Sequence, residues 1–150
     1  MPRILVVDDQ PDIRLLLHGI LKGGGHEVRV VPGGRDAIDL LGSGVALPDL
    51  VVLDIQMPGV DGWDVLRHVR ANPDLTEVPV VLCTVKASLR DLLEGWEQGC
   101  DGYVTKPFDI DDLIDEVAAV LRRTPAERVA HRVAERLRTI ERIHRLAPRR

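Results

Sequence analysis

Aromatic side chains are almost missing from this 150-residue chain, which has one Phe, one Tyr and two Trp, 3% in all. So sparse a set argues against a base-stacking surface of the kind that holds single-stranded nucleic acid. Cysteine is nearly as scarce. Cys83 and Cys100 have no CxxC or Cys/His spacing around them, which excludes a disulfide framework and a structural zinc site and fits a reducing compartment. No apolar run approaches the roughly 18 residues that a membrane span needs. The N-terminal run Ile4-Leu5-Val6-Val7 is too short for a signal-peptide core and ends in acid. These absences predict a cytoplasmic protein with no membrane segment. Internal repeats and low-complexity stretches are also lacking, so collagen-like and disordered classes are excluded.

What is present is an ordinary globular composition, 45% hydrophobic and 29% charged, with an uneven distribution of charge. Residues 1–121 hold 10 Lys and Arg against 21 Asp and Glu, a balance of −11. Residues 122–150 hold 10 Arg against 3 Glu, a balance of +7. The net charge of −4 therefore conceals an acidic body and a basic tail.

Within the body, short apolar runs alternate with stretches of helical period. Residues 4–7, 27–31, 50–53, 78–83 and 102–104 read as strands, several rich in Val and bounded by Gly, Pro or Asp. Between and after them, helices are expected at 12–22, 36–41, 64–69, 89–96 and 111–121. The first places Ile13, Leu16, Leu17 and Ile20 on one face. Five strand–helix alternations predict an α/β fold with a five-stranded parallel sheet joined by crossover helices. Strands such as Leu50-Val51-Val52-Leu53 are apolar on both faces, as a sheet covered on both sides requires.

In such a sheet, ligands bind beyond the carboxyl ends of the strands. Asp8 and Asp9 follow the first strand, Asp54 follows the third, Thr84 ends the fourth and Lys106 follows the fifth. Strand order brings these five to one rim. Three carboxylates together call for a hard cation, and Mg²⁺ takes few carboxylates plus waters and phosphate oxygens. An ammonium and a hydroxyl are suitable further partners for a phosphoryl group. The five histidines, His18, His26, His68, His131 and His144, show no ligand spacing.

These residues carry a family resemblance. Val7-Asp8-Asp9, Leu53-Asp54-Ile55-Gln56-Met57-Pro58-Gly59 with Asp61-Gly62, Thr84, and Tyr103-Val104-Thr105-Lys106-Pro107-Phe108 resemble the receiver domain of two-component response regulators, over residues 1–121. The resemblance implies the flavodoxin-like doubly wound (βα)5 fold. It implies that Asp54 is the phosphoacceptor for a sensor histidine kinase, a phosphotransfer protein or a small phosphodonor. Asp8, Asp9, Asp54 and the backbone carbonyl of Gln56 would then hold Mg²⁺. Lys106 would pair with the phosphoryl oxygens, its bond to Pro107 would be cis, and Thr84 and Tyr103 would form a switch signalling to a downstream protein target. Val85 stands where the family commonly has Ala and is expected to narrow access to the aspartate. Gln56 and Lys86 flank the path of a hydrolytic water. Cys100 replaces a common Ala, Trp63 is expected in packing, and Trp96 is expected half-buried on the fourth helix. An aspartyl-phosphate phosphatase also uses a strand-end Asp with Mg²⁺, but it needs a second Asp two residues on as general acid, where this chain has Gln56.

The resemblance stops near residue 121. Thr124-Pro125-Ala126-Glu127 is a capping box with Pro at the first helical position, predicting an extra C-terminal helix over 125–146 within a segment 122–150. Ala126, Ala130, Val133, Leu137, Ile140, His144 and Ala147 step by four and three, a heptad seam of modest hydrophobicity. Four roles are open for this helix: pairing in a homodimer, contact with nucleic acid or an acidic partner, a linker to an output domain of a larger transcription factor or nucleotide-signalling enzyme, or folding back on the acidic body. Its arginines encircle the helix rather than lining one stripe, which favours packing or pairing over nucleic acid.

Overall fold

The computed structural model describes residues 1–147. Five strands, β1 (Arg3–Val7), β2 (Glu27–Val31), β3 (Leu50–Leu53), β4 (Val80–Thr84) and β5 (Gly102–Thr105), alternate with α1 (Pro11–Gly23), α2 (Gly34–Leu41), α3 (Gly62–Ala71), α4 (Leu89–Gln98) and α5 (Ile110–Arg122), and α6 (Pro125–Leu146) follows. All neighbouring strands run parallel in the order β2-β1-β3-β4-β5, the doubly wound arrangement. The expected fourth strand began at 78, but β4 starts at Val80, after Pro79, which has no N–H to give the ladder.

Strand alternation divides the core into two layers. Leu5, Val7, Val51, Leu53, Val80 and Leu82 face α2, α3 and α4, meeting Ala37, Val65, Leu66, Val69 and Trp96. Ile4, Val6, Val52, Val81, Cys83 and Val104 face α1 and α5, meeting Leu17, Leu21, Leu113 and Val117. Continuous apolar strands are the direct result of a sheet covered on both sides. Leu17 and Leu21 of α1 are buried against the sheet with Ile13 and Ile20 partly buried beside them, whereas Leu16, expected on the same face, is exposed.

Helix starts follow local chemistry. Asp61 with Asp64, Ser88 with Asp91, and Thr124 with Glu127 form reciprocal capping boxes. The break between α5 and α6 turns the chain back, and α6 packs against α4. The face that packs is not the heptad seam. Arg132, Thr139 and Arg128 lie against the body, whereas Val133 and Leu137 of the seam, and Val129 beside it, are exposed. Trp96, expected half-buried, is buried, with the imidazole of His131 from α6 set edge-to-face against it at 5.6 Å between ring centres.

Candidate functional site

The carboxyl ends of β1, β3, β4 and β5 bring the five rim residues together as the sequence predicted. β1 releases Asp8 and Asp9 directly from its last residue, and register with β1 places Asp54 at the same height. One oxygen from each of Asp8, Asp9 and Asp54 lies within 4.8 Å of the others. Asp8 and Asp54 are buried, and Asp9 is half-buried. Lys106 Nζ donates to Asp8 Oδ2 at 2.6 Å and to Asp54 Oδ2 at 3.2 Å, so a single ammonium links two of the three carboxylates. The Gln10 and Gln56 amides donate to Asp8 Oδ1 and Asp54 Oδ1 at 2.9 and 3.2 Å. The bond between Lys106 and Pro107 is cis.

Gly62 matters to this geometry. A Cβ there would run into the carbonyl of Asp54, so only glycine lets the start of α3 come so close behind the aspartate. The Gly62 amide donates to the Ile55 carbonyl at 2.9 Å and fixes the approach.

The electrostatics of the cluster are unbalanced. Burial pushes the Asp54 carboxyl above its usual range, the nearby ammonium of Lys106 opposes this, and the Asp8 charge adds to it. Burial works against the Lys106 charge, but its hydrogen bond to Asp8 and the charges of Asp54 and Asp8 hold its pKa above normal. Three acids against one ammonium leave net negative charge in an enclosed oxygen-rich site, a donor set that fits a hard divalent cation.

Thr84 is fully buried at the end of β4, and its Oγ1 accepts from the Lys86 amide at 3.3 Å. Across the same loop, the Tyr103 hydroxyl donates to the Lys86 carbonyl at 2.5 Å. The Tyr103 ring rests over Gly95 of α4, where an added Cβ would lie only 3.1 Å from two ring carbons. Lys86 thus touches both Thr84 and Tyr103 through its own backbone. A groove of about 430 Å³, lined by Gln56, Met57, Pro58, Trp63 and Lys86, opens beside the rim. Val85 is exposed on the same loop.

Three residues outside the rim escaped the sequence reading. Asp101, buried just before β5, accepts from Arg70 Nη2 at 2.7 Å, from the Val80 amide at 2.9 Å and from Arg132 Nη1 at 2.9 Å. Arg70 comes from α3 and Arg132 from α6, so one carboxylate ties two helices to the sheet. The signal was an acid ahead of an apolar strand, but its partners lie 31 residues away on either side.

Comparison with known proteins agrees with this geometry. The family model of the response regulator receiver domain matches residues 4–118. The DNA-binding dual master transcriptional regulator RpaA of Synechocystis is 36% identical over 127 residues, covering 83% of this chain and 51% of that protein. The receiver domain of the Francisella response regulator 1452 superposes with a TM-score of 0.75 at 31% identity, covering 82% of this chain and 98% of that one. The Mn²⁺-bound form of response regulator Rcp1 does so at 0.69 and 29%, covering 80% and 91%. This chain spans about half the length of the curated relatives it matches. A doubly wound sheet with an acid-and-lysine rim, matched across most of its length, places this chain in the response regulator receiver family of two-component systems.

Proposed function

We propose that Asp54 accepts a phosphoryl group from the phosphohistidine of a sensor histidine kinase or phosphotransfer protein, or from a small acyl phosphate. The arrangement that carries this reading is the Lys106 ammonium between Asp8 and Asp54 in a cluster of three carboxylates. Asp8, Asp9, Asp54 and the Gln56 carbonyl would hold Mg²⁺, whose chemistry here is to neutralise charge on the transferring group. Support for a divalent ion comes from the donor set and from Rcp1, whose structure is described as Mn²⁺-bound.

In the transfer, an Asp54 carboxylate oxygen forms the new O–P bond while the N–P bond of the donor breaks and the imidazole leaves with its electron pair. Lys106 then holds the phosphoryl oxygens, released in part from Asp54. Thr84 leaves its bond with the Lys86 amide and donates its hydroxyl to a phosphoryl oxygen. The Tyr103 ring, seated over Gly95, follows into the space Thr84 vacates. The outcome is a two-state surface read by a protein target, with no separate substrate turned over. Moving such a balance from 1:99 to 99:1 takes about 5.5 kcal/mol of differential interaction.

Residues 1–121 form the receiver unit in this reading, and 122–150 an appended segment. The protein works in the cytoplasm, where reducing conditions keep the buried Cys83 and Cys100 as thiols. No helix among the described residues is long and apolar enough to cross a membrane. The test is exposure to acetyl phosphate with and without Mg²⁺, followed by intact mass. A base-labile, Mg²⁺-dependent phosphoryl adduct is expected on the natural chain and none on Asp54→Asn; an equal adduct on the variant would overturn the assignment.

A second reading has its own support. RpaA is named as DNA-binding, and it is about twice as long as the stretch it shares with this chain. The sequence would then be the input portion of a larger regulator, with any nucleic-acid contact made elsewhere. The reading frame after Arg150 decides between them.

A further inference from the structure

α6 reaches the body largely through polar side chains and leaves Val129, Val133 and Leu137 outside. Arg132 pairs with buried Asp101, and Thr139 is buried, while Val129, Val133 and Leu137 are 51%, 52% and 57% exposed. Ala126 and Ala130 are exposed as well, and Ile140 is half-buried. Val133 follows Arg132 by one residue, ~100° round the helix. The seam Ala126, Ala130, Val133, Leu137, Ile140, His144 therefore runs along the side of α6 away from Arg132 and Thr139, exposed among the described residues except at half-buried Ile140.

We infer that this seam pairs with the same seam of a second copy of the chain, as a parallel two-stranded coil in register. The flanking charges select both occupant and direction. With Ala130, Leu137 and His144 at a and Ala126, Val133 and Ile140 at d, position g holds Val129, Arg136 and Ile143, and position e holds Glu127, Ala134 and Glu141. In a parallel pair each g faces the e five residues on in the other strand. Arg136 then meets Glu141 of the second copy, twice by symmetry, and Val129 meets Ala134. An antiparallel pair would set g against g and e against e, where no opposite charges meet. Both charged residues are available for exchange. Arg136 pairs with Glu97 at 3.6 Å with both side chains about half exposed, and Glu141 pairs with Arg145 on the helix surface. Exposed pairs of this kind are worth at most about 1 kcal/mol each. Docking of α6 on α4 and pairing through the seam use different faces, so the two are compatible.

The test uses the full chain. Sedimentation velocity over a wide concentration series is expected to show a reversible monomer–dimer equilibrium. Leu137→Glu is expected to raise the dissociation constant at least about tenfold, or about 1.4 kcal/mol. Arg136→Glu and Glu141→Arg are each expected to weaken the dimer, and the two together to restore it. Circular dichroism of each variant separates loss of pairing from loss of helix. Register is read by mild oxidation, since the two natural cysteines are buried. Ala130→Cys should cross-link to itself far faster than Arg138→Cys, which lies on another face. A chain that is monomeric throughout, a dimer indifferent to the charge reversals, or equal cross-linking at 130 and 138 would each overturn the inference.

Discussion

Asp54 is held in an unfavourable state when no divalent ion is near. Burial raises its pKa, Lys106 only partly offsets this, and Asp8 adds to it. The native state therefore binds a proton at higher pH than the unfolded chain does. Stability from this group is greatest below the unfolded value of 3.8 and falls as pH rises through the raised folded value. In metal-free buffer, Asp54→Asn is expected to melt higher than the natural chain, with a gap that widens from acid toward neutral pH. A gap of ~2–4 °C corresponds to about 1 kcal/mol in a domain of this size. Adding Mg²⁺ should raise the natural chain's melting temperature and close the gap. His131 gives a second pH effect. Burial lowers its pKa, and Arg123 adds to this, while Glu135 opposes it. Its charged form is disfavoured in the fold, so stability drops as pH falls below about 6.5, the unfolded value. Trp96, edge-to-face with His131, should show quenched fluorescence over that range, and His131→Gln should remove the change.

Among the elements, α4 and α6 depend most on contacts that are distant in sequence. The strands and the first five helices were readable because apolar periodicity and rim acids are local signals. Asp8, Asp9, Asp54, Thr84 and Lys106 needed only strand ends and strand order to be placed together. Folding back of α6 on the body was among the roles its sequence left open, but the face by which it docks was not readable, since periodicity marks apolar faces and this helix docks with Arg132 and Arg128 while exposing Val133 and Leu137. Nothing local announces that Asp101 waits for a guanidinium from the tail. Two substitutions separate the ion pairs that hold α6. Arg132→Ala removes a partner of a buried carboxylate and should speed trypsin cleavage within α6 and amide exchange there. Arg136→Ala removes an exposed pair within the chain and, at concentrations where the chain is monomeric, should leave folding and exchange nearly unchanged. Gly95→Ala probes the link between α4 and the rim. Its Cβ would crowd the Tyr103 ring and the Cys100 sulfur, so the ring must shift and the bond from Tyr103 to the Lys86 carbonyl should weaken. The measurement is the shift of the Tyr103 ring resonances relative to the natural chain.

Taken as a whole, the acidic body and the basic tail meet as partners within one chain. Beryllofluoride with Mg²⁺, mimicking the acyl phosphate, is expected to change amide exchange in α4 and then in α6, which packs on it, and to leave α2 unchanged. Exchange confined to the rim would break the link from Tyr103 through Gly95 to the tail. The Asp101 clasp has a consequence for how freely the tail can be exchanged. Asp101 Oδ2 is already satisfied by Arg70 and the Val80 amide, and only Oδ1 depends on Arg132. Losing α6 would leave that carboxylate paired to a cation and merely open one oxygen to water. At this carboxylate the receiver can take on a different C-terminal segment, provided that segment also covers Trp96 as α6 does, and the clasp serves as a standard coupling rather than a keystone.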